Sequence, residues 1–137
     1  MGAPSPPLLL VSAVALIDSV GRILLGRRPS DKLMPGLWEF PGGKINLGET
    51  PEEALIRELR EELAIDTKES CLAPIAFASH RYDKFHLLMP LFVCRVWEGI
   101  PQPIEGQELA WVTIGDMRNY PMPPADIPLV AMLRDIL

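Results

Sequence analysis

Apolar residues occur along the chain in short runs, separated by turns rich in glycine, proline or charged residues. Runs of this kind predict strands, whereas an apolar period of 3.6 residues predicts a helix. The predicted strands span residues 8–17, 23–28, 38–40, 72–80, 85–97 and 109–112. One helix is predicted from Pro51 to about Leu63 and a second from about residue 126 to 137. Strands before and after a central helix predict an α/β or α+β sandwich.

The helix that begins near residue 50 has the clearest signals in the chain. Thr50 is a favourable N-cap residue, Pro51 suits the first helical position, and Glu53 completes a capping box with Thr50. One face of the helix is apolar and is expected to pack on the core. That face consists of Leu55, Ile56, Leu59 and Leu63.

Length and charge restrict the classes of protein that the chain can belong to. Its 137 residues predict a single domain at 8–137, preceded by a loose proline-rich tail at 1–7. The net charge of −5 argues against binding a nucleic-acid polymer through its phosphates. The apolar run at 8–17 is far shorter than the ~20 residues of a membrane helix, and no Lys or Arg precedes it as in a signal peptide. Because Cys71 and Cys94 match no metal or redox spacing, we expect free thiols in a cytoplasmic protein without membrane contact.

Three carboxylates form a cluster on the polar side of the first helix. Glu58, Glu61 and Glu62 are spaced i, i+3 and i+4, so they are neighbours and repel one another. Clustered carboxylates are also the ligands that Mg²⁺ or Mn²⁺ prefers. The alternative is an ordinary solvated face on which Arg57 and Arg60 pair with the acids. The turn at Gly42–Gly43, predicted to end the strand at 38–40, could bring a backbone carbonyl to the same metal ion.

The spacing of these residues resembles the Nudix box, G-x5-E-x7-R-E-U-x-E-E-x-G-U with U apolar. The matching positions are Gly43, Glu49 and the run from Arg57 to Ile65, with Ala64 where the family has glycine. This departure lies at the end of the helix and removes no ligand. The stretch WEFPGGK at 38–44 resembles the EFPGGK stretch of MutT-type Nudix hydrolases, and the likeness extends over about residues 8–136.

The resemblance implies a Nudix-type α/β/α sandwich with a mixed sheet, one catalytic helix and a C-terminal helix. It also implies the residues of a site for Mg²⁺, with Mn²⁺ as an alternative. The implied metal ligands are the Gly42 carbonyl, Glu58, Glu61, Glu62 and Glu105, and the implied catalytic residues are Glu58, Glu61, Glu105 and Arg57. Arg57 would orient the glutamates by pairing with Glu49 or Glu61. The implied substrate-binding residues are Arg28, Glu39, Phe40, Pro41, Gly42 and Asp126.

By the same resemblance, the expected activity is hydrolysis of a small nucleoside triphosphate to the monophosphate and pyrophosphate, by a monomer or a homodimer. MutT proteins remove 8-oxo-dGTP and carry an asparagine where this chain has Asp126. An ionised carboxylate only accepts hydrogen bonds, which would also suit a cytosine amino group. CTP, dCTP or damaged pyrimidines are therefore the alternative substrates, and Asp126 could instead cap the last helix. An alternative of another class is a nucleotide-sensing domain without turnover.

Overall fold

The structure is a computed structural model that describes residues 6–30 and 34–137. Of the predicted tail, residues 1–5 lie outside the described residues. The strands within the described ranges are β1 (Leu8–Leu16), β2 (Ile23–Arg27), β3 (Trp38–Glu39), β4 (Gly42–Lys44), β5 (Ala73–Arg81), β6 (His86–Cys94) and β7 (Glu108–Val112). The helices are α1 (Pro51–Leu63) and α2 (Ile127–Ile136), with short 3₁₀ turns at Glu69–Cys71 and Ile114–Asn119.

The described strands form two sheets. The larger has the order β4-β1-β6-β5, in which β1 and β6 are parallel and the other neighbours are antiparallel. The smaller sheet, β3-β2-β7, is antiparallel throughout. The predicted mixed sheet is therefore confirmed. Only Phe40 and Pro41 separate β3 from β4, so the chain passes from one sheet to the other within two residues.

The two helices cover opposite faces of β1. Successive side chains of a strand point to opposite faces. Ala13 and Ala15 accordingly join the core cluster that contains Leu129 and Leu133 of α2. Val14 and Leu16 join the cluster that contains the apolar face of α1, formed by Leu55, Leu59 and Leu63. The sheet thus lies between two helices, as the predicted sandwich requires.

Helix α1 begins and ends where the sequence predicts. The Thr50 hydroxyl accepts a hydrogen bond from Glu53 N–H at 3.1 Å, and the Glu53 carboxylate accepts one from Thr50 N–H at 2.9 Å. At the other end, Ala64 adopts a left-handed conformation with φ 57° and donates its N–H to Arg60 O. Ala64 thus performs the chain reversal for which glycine is the favoured residue.

The prediction of a simple turn at Gly42–Gly43 is wrong. These residues belong to β4 and pair with Ser12 and Ala13 of β1. A Cβ atom on Gly42, whose φ is +153°, would lie 2.9 Å from Ala13 Cα and would also meet Ser12 O. Periodicity could not reveal this strand, because glycine contributes neither an apolar nor a polar side chain to the pattern.

Two further observations concern the start of the chain and the length of its helices. Pro7 O accepts a hydrogen bond from His86 N–H at 2.9 Å, so the end of the predicted tail is attached to β6. No helix within 6–30 and 34–137 is long and apolar enough to cross a membrane.

Candidate active site

A cleft of about 230 Å³ lies where α1, β2, β3 and the loop before β7 meet. Four carboxylates share this cleft, so the fold brings together acids that are far apart in the sequence. They are Glu39, Glu58, Glu62 and Glu105. The walls also include Arg27, Arg28, Gly42 and Gln107. We call this cavity the acidic cleft.

Arg57 connects α1 to the segment that precedes it. Its Nε and Nη2 atoms donate to the two Glu49 carboxylate oxygens at 2.8 and 3.0 Å, and Nη2 also donates to Lys44 O at 3.0 Å. Its Nη1 atom donates to Glu58 at 2.8 Å, whereas Glu61 is 3.4 Å away. The guanidinium lowers the pKa of Glu49 through these hydrogen bonds. Arg57 therefore orients Glu58 while Glu49 anchors the arginine.

Glu58 packs directly against the glycine backbone of β4. A Cβ atom on Gly43 would lie 2.5 and 2.6 Å from the two Glu58 oxygens. Burial raises the pKa of Glu58, and Arg57 opposes this rise. Glycine at position 43 thus provides the space that the carboxylate occupies.

Glu62 is the most perturbed acid of the acidic cleft. Its pKa is raised to about 8, first by burial and then by the negative charges of Glu39, Glu105 and Glu58. A hydrogen bond with the Gly42 backbone only partly opposes this rise. Near neutral pH, ionised Glu62 is therefore destabilised by its surroundings unless a positive charge enters the cleft.

Some, but not all, of the predicted metal ligands line the acidic cleft. Glu58, Glu62, Glu105 and Gly42 line the acidic cleft, whereas the Glu61 side chain is 60% exposed and lies beside Arg57. Among the described residues, no three His, Cys, Asp or Glu side chains are grouped closely enough to hold a metal ion. The side chains of α1 and of the Glu105 loop would have to change rotamer to enclose one.

The donor set of the acidic cleft suits a hard divalent cation. The negative charges of Glu39, Glu105 and Glu58 raise the pKa of Glu62. Carboxylate and carbonyl oxygens are the ligands of Mg²⁺ and Mn²⁺. A cation placed among them would replace this repulsion by coordination. The residues present therefore fit the metal that the sequence predicts.

A second, larger cleft of about 620 Å³ adjoins the acidic cleft and shares Arg28, Glu39 and Gly42 with it. Apolar and aromatic side chains form much of its wall, so we call it the apolar cleft. They include Leu9, Phe40, Tyr82, Phe85 and Met89. At the shared wall, Arg28 Nη1 donates to Glu39 at 2.8 Å. Burial nevertheless raises the pKa of Glu39.

Asp126 lies in the apolar cleft and is 5% exposed. Its side chain makes no capping hydrogen bond to α2, so the capping interpretation is wrong. The carboxylate instead has a hydrogen bond with the Phe40 backbone. Burial and the nearby charge of Glu39 raise the pKa of Asp126 to about 7. Phe40 lines the same cleft, but Pro41 is buried outside both clefts and its carbonyl accepts from Val14 N–H at 2.9 Å.

Sequence reasoning missed the aromatic side of the apolar cleft. Tyr82 and Phe85 flank the short turn between β5 and β6, and their ring centroids are 5.0 Å apart. The Tyr82 hydroxyl accepts a hydrogen bond from Ala125 N–H at 3.3 Å, next to Asp126. Two aromatic residues on either side of a two-residue polar turn were the available signal.

The family of the protein follows from comparison of the whole chain. The family model of the NUDIX domain matches residues 12–132, and the chain belongs to this family. The CTP pyrophosphohydrolase of Escherichia coli strain K12 is 39% identical over 118 residues, which cover 85% of this chain and 84% of that protein. The 8-oxo-dGTP diphosphatase of the same strain is 36% identical over 123 residues, which cover 89% and 94%.

Solved structures agree with this assignment. The solution structure of the E. coli ORF135 protein has a TM-score of 0.84 and 31% identity, covering 98% of this chain and 95% of that one. A structure from a study of MutT from Aliivibrio salmonicida and Vibrio cholerae has a TM-score of 0.78 and 31% identity, covering 94% and 99%. The two curated relatives are almost equally similar to this chain although their names give different substrates.

Proposed function

We propose that this protein hydrolyses nucleoside triphosphates to the monophosphate and pyrophosphate with the help of Mg²⁺. The observation that carries the proposal is the adjacency of the two clefts. The acidic cleft supplies carboxylates for a cation that neutralises phosphates, and the apolar cleft is large and aromatic enough for a nucleobase. Arg28, Glu39 and Gly42 lie where the two clefts join, between the proposed places of phosphate and base.

In this proposal Glu58, Glu62, Glu105 and the Gly42 carbonyl hold Mg²⁺, with Glu61 as a further ligand at the exposed edge. The bound cation supplies charge neutralisation on the phosphates and lowers the pKa of bound water. Mn²⁺ is the alternative because it accepts the same oxygen ligands.

The protein's own side chains orient the reactants. Arg57 holds Glu58 in place through its hydrogen bond, and Glu49 and Lys44 O hold Arg57. Glu58 and Glu105 are the candidates for the base that removes the proton of the attacking water, since both line the acidic cleft. In the same proposal Arg28 contacts the phosphates near the nucleobase. Glu39, Phe40 and Asp126 contact the nucleobase itself.

We propose 8-oxo-dGTP as the substrate, because one of the two similar relatives is named 8-oxo-dGTP diphosphatase. The CTP pyrophosphohydrolase relative and the carboxylate of Asp126 favour CTP, dCTP or damaged pyrimidines as the alternative, because ionised Asp126 can accept from a cytosine amino group. A nucleotide-sensing domain without turnover is less favoured, because this chain keeps every acid of the predicted box.

Release of pyrophosphate tests the activity. The protein is incubated with each nucleotide with and without Mg²⁺, and Glu58→Gln is compared with Glu52→Gln on the first turn of the same helix, away from both clefts. We expect Glu58→Gln to lower kcat at least about 100-fold, since it removes a charge at the proposed metal. Glu52→Gln should retain wild-type turnover. Release of pyrophosphate by Glu58→Gln at the wild-type rate would contradict the proposed site.

A substrate panel separates the two candidate substrates. The values of kcat/KM are compared for 8-oxo-dGTP, dGTP, CTP and dCTP under one set of conditions. The leading proposal requires an advantage of 8-oxo-dGTP over dGTP. Faster turnover of CTP or dCTP than of either purine would favour the alternative.

A further inference from the structure

One buried side chain connects the loop acid of the acidic cleft to helix α1. In segment 98–107, every residue of which the structure describes, Gln107 alone is buried. Its Oε1 atom accepts a hydrogen bond from Glu105 N–H at 3.0 Å, and its Nε2 atom donates to Glu62 O at 3.2 Å. The same amide group thus contacts the backbones of two proposed metal ligands.

The partners of the Gln107 side chain require a group that both accepts and donates hydrogen bonds, as an amide does. A backbone N–H can only donate and a backbone carbonyl can only accept, so the group between Glu105 and Glu62 must be both acceptor and donor. An ionised glutamate could not donate to Glu62 O and would add a negative charge to a cleft that already contains four carboxylates. Because one partner donates and the other accepts, they also determine which atom of the Gln107 amide is the oxygen and which is the nitrogen.

At the end of α1, where helix carbonyls lack partners within the helix, Glu62 O and Leu63 O accept hydrogen bonds from this loop. Gln102 N–H donates to Leu63 O at 2.8 Å, and Ile104 N–H makes a longer contact of 3.3 Å with Glu62 O. Glu105 itself is exposed and sits on a turn whose other residues are also exposed. The Gln107 amide is thus the buried side-chain contact that relates the position of Glu105 to that of Glu62.

We propose that Gln107 is a positioning residue that sets the distance of Glu105 from the carboxylates of α1 and thereby completes the metal-binding arrangement. This inference rests on the proposed function, because it gives Gln107 a role in the same cleft. Gln107 contacts neither water nor phosphate in this role; it acts through Glu105. Residues that orient metal ligands typically contribute about 10- to 100-fold in metal affinity or activity.

Binding of Mn²⁺ to the nucleotide-free protein tests the inference without turnover. Gln107→Ala is compared with Gln102→Ala, which shortens an exposed glutamine of the same loop whose Nε2 donates to nearby Ile100 O. We expect Gln107→Ala to weaken Mn²⁺ binding about tenfold and Gln102→Ala to leave it unchanged. Gln107→Met, which preserves the side-chain volume, should behave like Gln107→Ala and replaces it if the alanine variant does not fold. Unchanged Mn²⁺ affinity in a folded Gln107 variant overturns the inference.

A double-mutant cycle with Glu105→Ala distinguishes positioning from a merely structural role. If Gln107 acts through Glu105, adding Gln107→Ala to Glu105→Ala should change Mn²⁺ affinity less than about twofold. The same factor lost in both backgrounds, or a Glu105→Ala variant with wild-type affinity, overturns the inference. Hydrogen exchange should agree: the Glu105 amide proton should exchange about tenfold faster in Gln107→Ala, because it loses its acceptor.

The proposed function and the role of Gln107 are tested by different outcomes. A wild-type protein that binds Mn²⁺ but releases no pyrophosphate from any nucleotide contradicts the proposed function, while the Mn²⁺ cycle still decides the role of Gln107. If Gln107→Ala lowers Mn²⁺ affinity and kcat by similar factors with little change in KM, both proposals are supported.

Discussion

Glu62 is half-buried and Asp126 is buried, and the pKa values of these two acids are raised to about 8 and about 7. In both, burial is the main cause and a neighbouring carboxylate adds to it. A raised pKa means that the folded state holds a proton that the unfolded state releases, so the contribution of each group to stability falls as the pH rises towards the folded pKa. Acids with raised pKa values are typical of sites that bind a ligand, and they reduce stability where no ligand is bound.

Glu62→Gln should stabilise the metal-free protein. The stability penalty of Glu62 grows from about pH 4.5, its ordinary pKa, to about pH 8, its folded pKa. The variant should therefore melt about 3 °C or more above the wild type at pH 8 and differ much less at pH 5. Thermal unfolding in EDTA at both pH values measures this. A gain that is equal at the two pH values would show that burial of the charge is not its cause.

The preference for one nucleobase over another should depend on pH, because Asp126 changes its protonation state. Protonated Asp126 can donate to a purine oxygen, whereas ionised Asp126 can only accept, for example from a cytosine amino group. The ratio of kcat/KM for CTP to that for 8-oxo-dGTP should therefore rise between pH 6 and pH 8, around the pKa of about 7. Taking the ratio cancels the pH dependence of the shared chemical step. In Asp126→Asn, whose amide does not titrate, the ratio should be constant, and an equal slope in both proteins would rule out Asp126.

At the scale of the element, β4 is a strand whose two glycines leave space for close neighbours. Its glycines let β1 and Glu58 approach the backbone from two sides. Gly43→Ala should therefore displace the Glu58 carboxylate and lower kcat about 100-fold, since displacements near 1 Å can cost that much. The control is Gly115→Ala, where an added Cβ meets nothing within 4 Å. Unchanged kcat in a folded Gly43→Ala protein would mean that Glu58 relocates without cost.

The end of α1 offers a stabilising substitution. Ala64 has φ 57°, a conformation that costs a residue with a Cβ roughly 1 kcal/mol but is easy for glycine. Ala64→Gly should raise the free energy of unfolding by about 0.5–1 kcal/mol, measured by urea denaturation. Ala64→Val should lower it, because a β-branched side chain resists this conformation. Loss of stability in Ala64→Gly would mean that the Ala64 methyl group contributes packing that outweighs the backbone strain.

At the scale of the whole molecule, the sequence predicts the fold well where side chains follow a period. The capping box fixes the start of α1, and the nearly continuous apolar run of β1 agrees with its two buried faces. The prediction fails at β4, where glycines carry no pattern, and it misses the 3₁₀ turns at Glu69–Cys71 and Ile114–Asn119. It also could not give the order of the strands, because pairing depends on contacts between distant segments.

The sequence predicts the acids of the acidic cleft and some of the residues that line the apolar cleft, but not the aromatic side of the apolar cleft. The spacing of Glu58, Glu61 and Glu62 is a local property of a helix, so it is visible in the sequence. The aromatic wall at Tyr82 and Phe85 forms only when β6 of the β5–β6 hairpin pairs with β1 in the larger sheet, and the Gln107 contacts need the loop folded back onto α1. The exposure of Glu61 also follows from how α1 packs rather than from its sequence. The roles assigned to these residues remain predictions.

The two-residue passage of the chain from β3 to β4 has a practical consequence. Glu39 and Gly42, at its ends, line both clefts, so an altered passage would affect nucleobase fit and bond cleavage together. The opposite wall, with Leu9, Tyr82 and Phe85, lines only the apolar cleft. A directed-evolution library that seeks a new nucleobase preference should therefore keep positions 39–42 fixed and diversify that wall. Substitutions in that wall should change nucleobase selectivity without altering the residues of the acidic cleft.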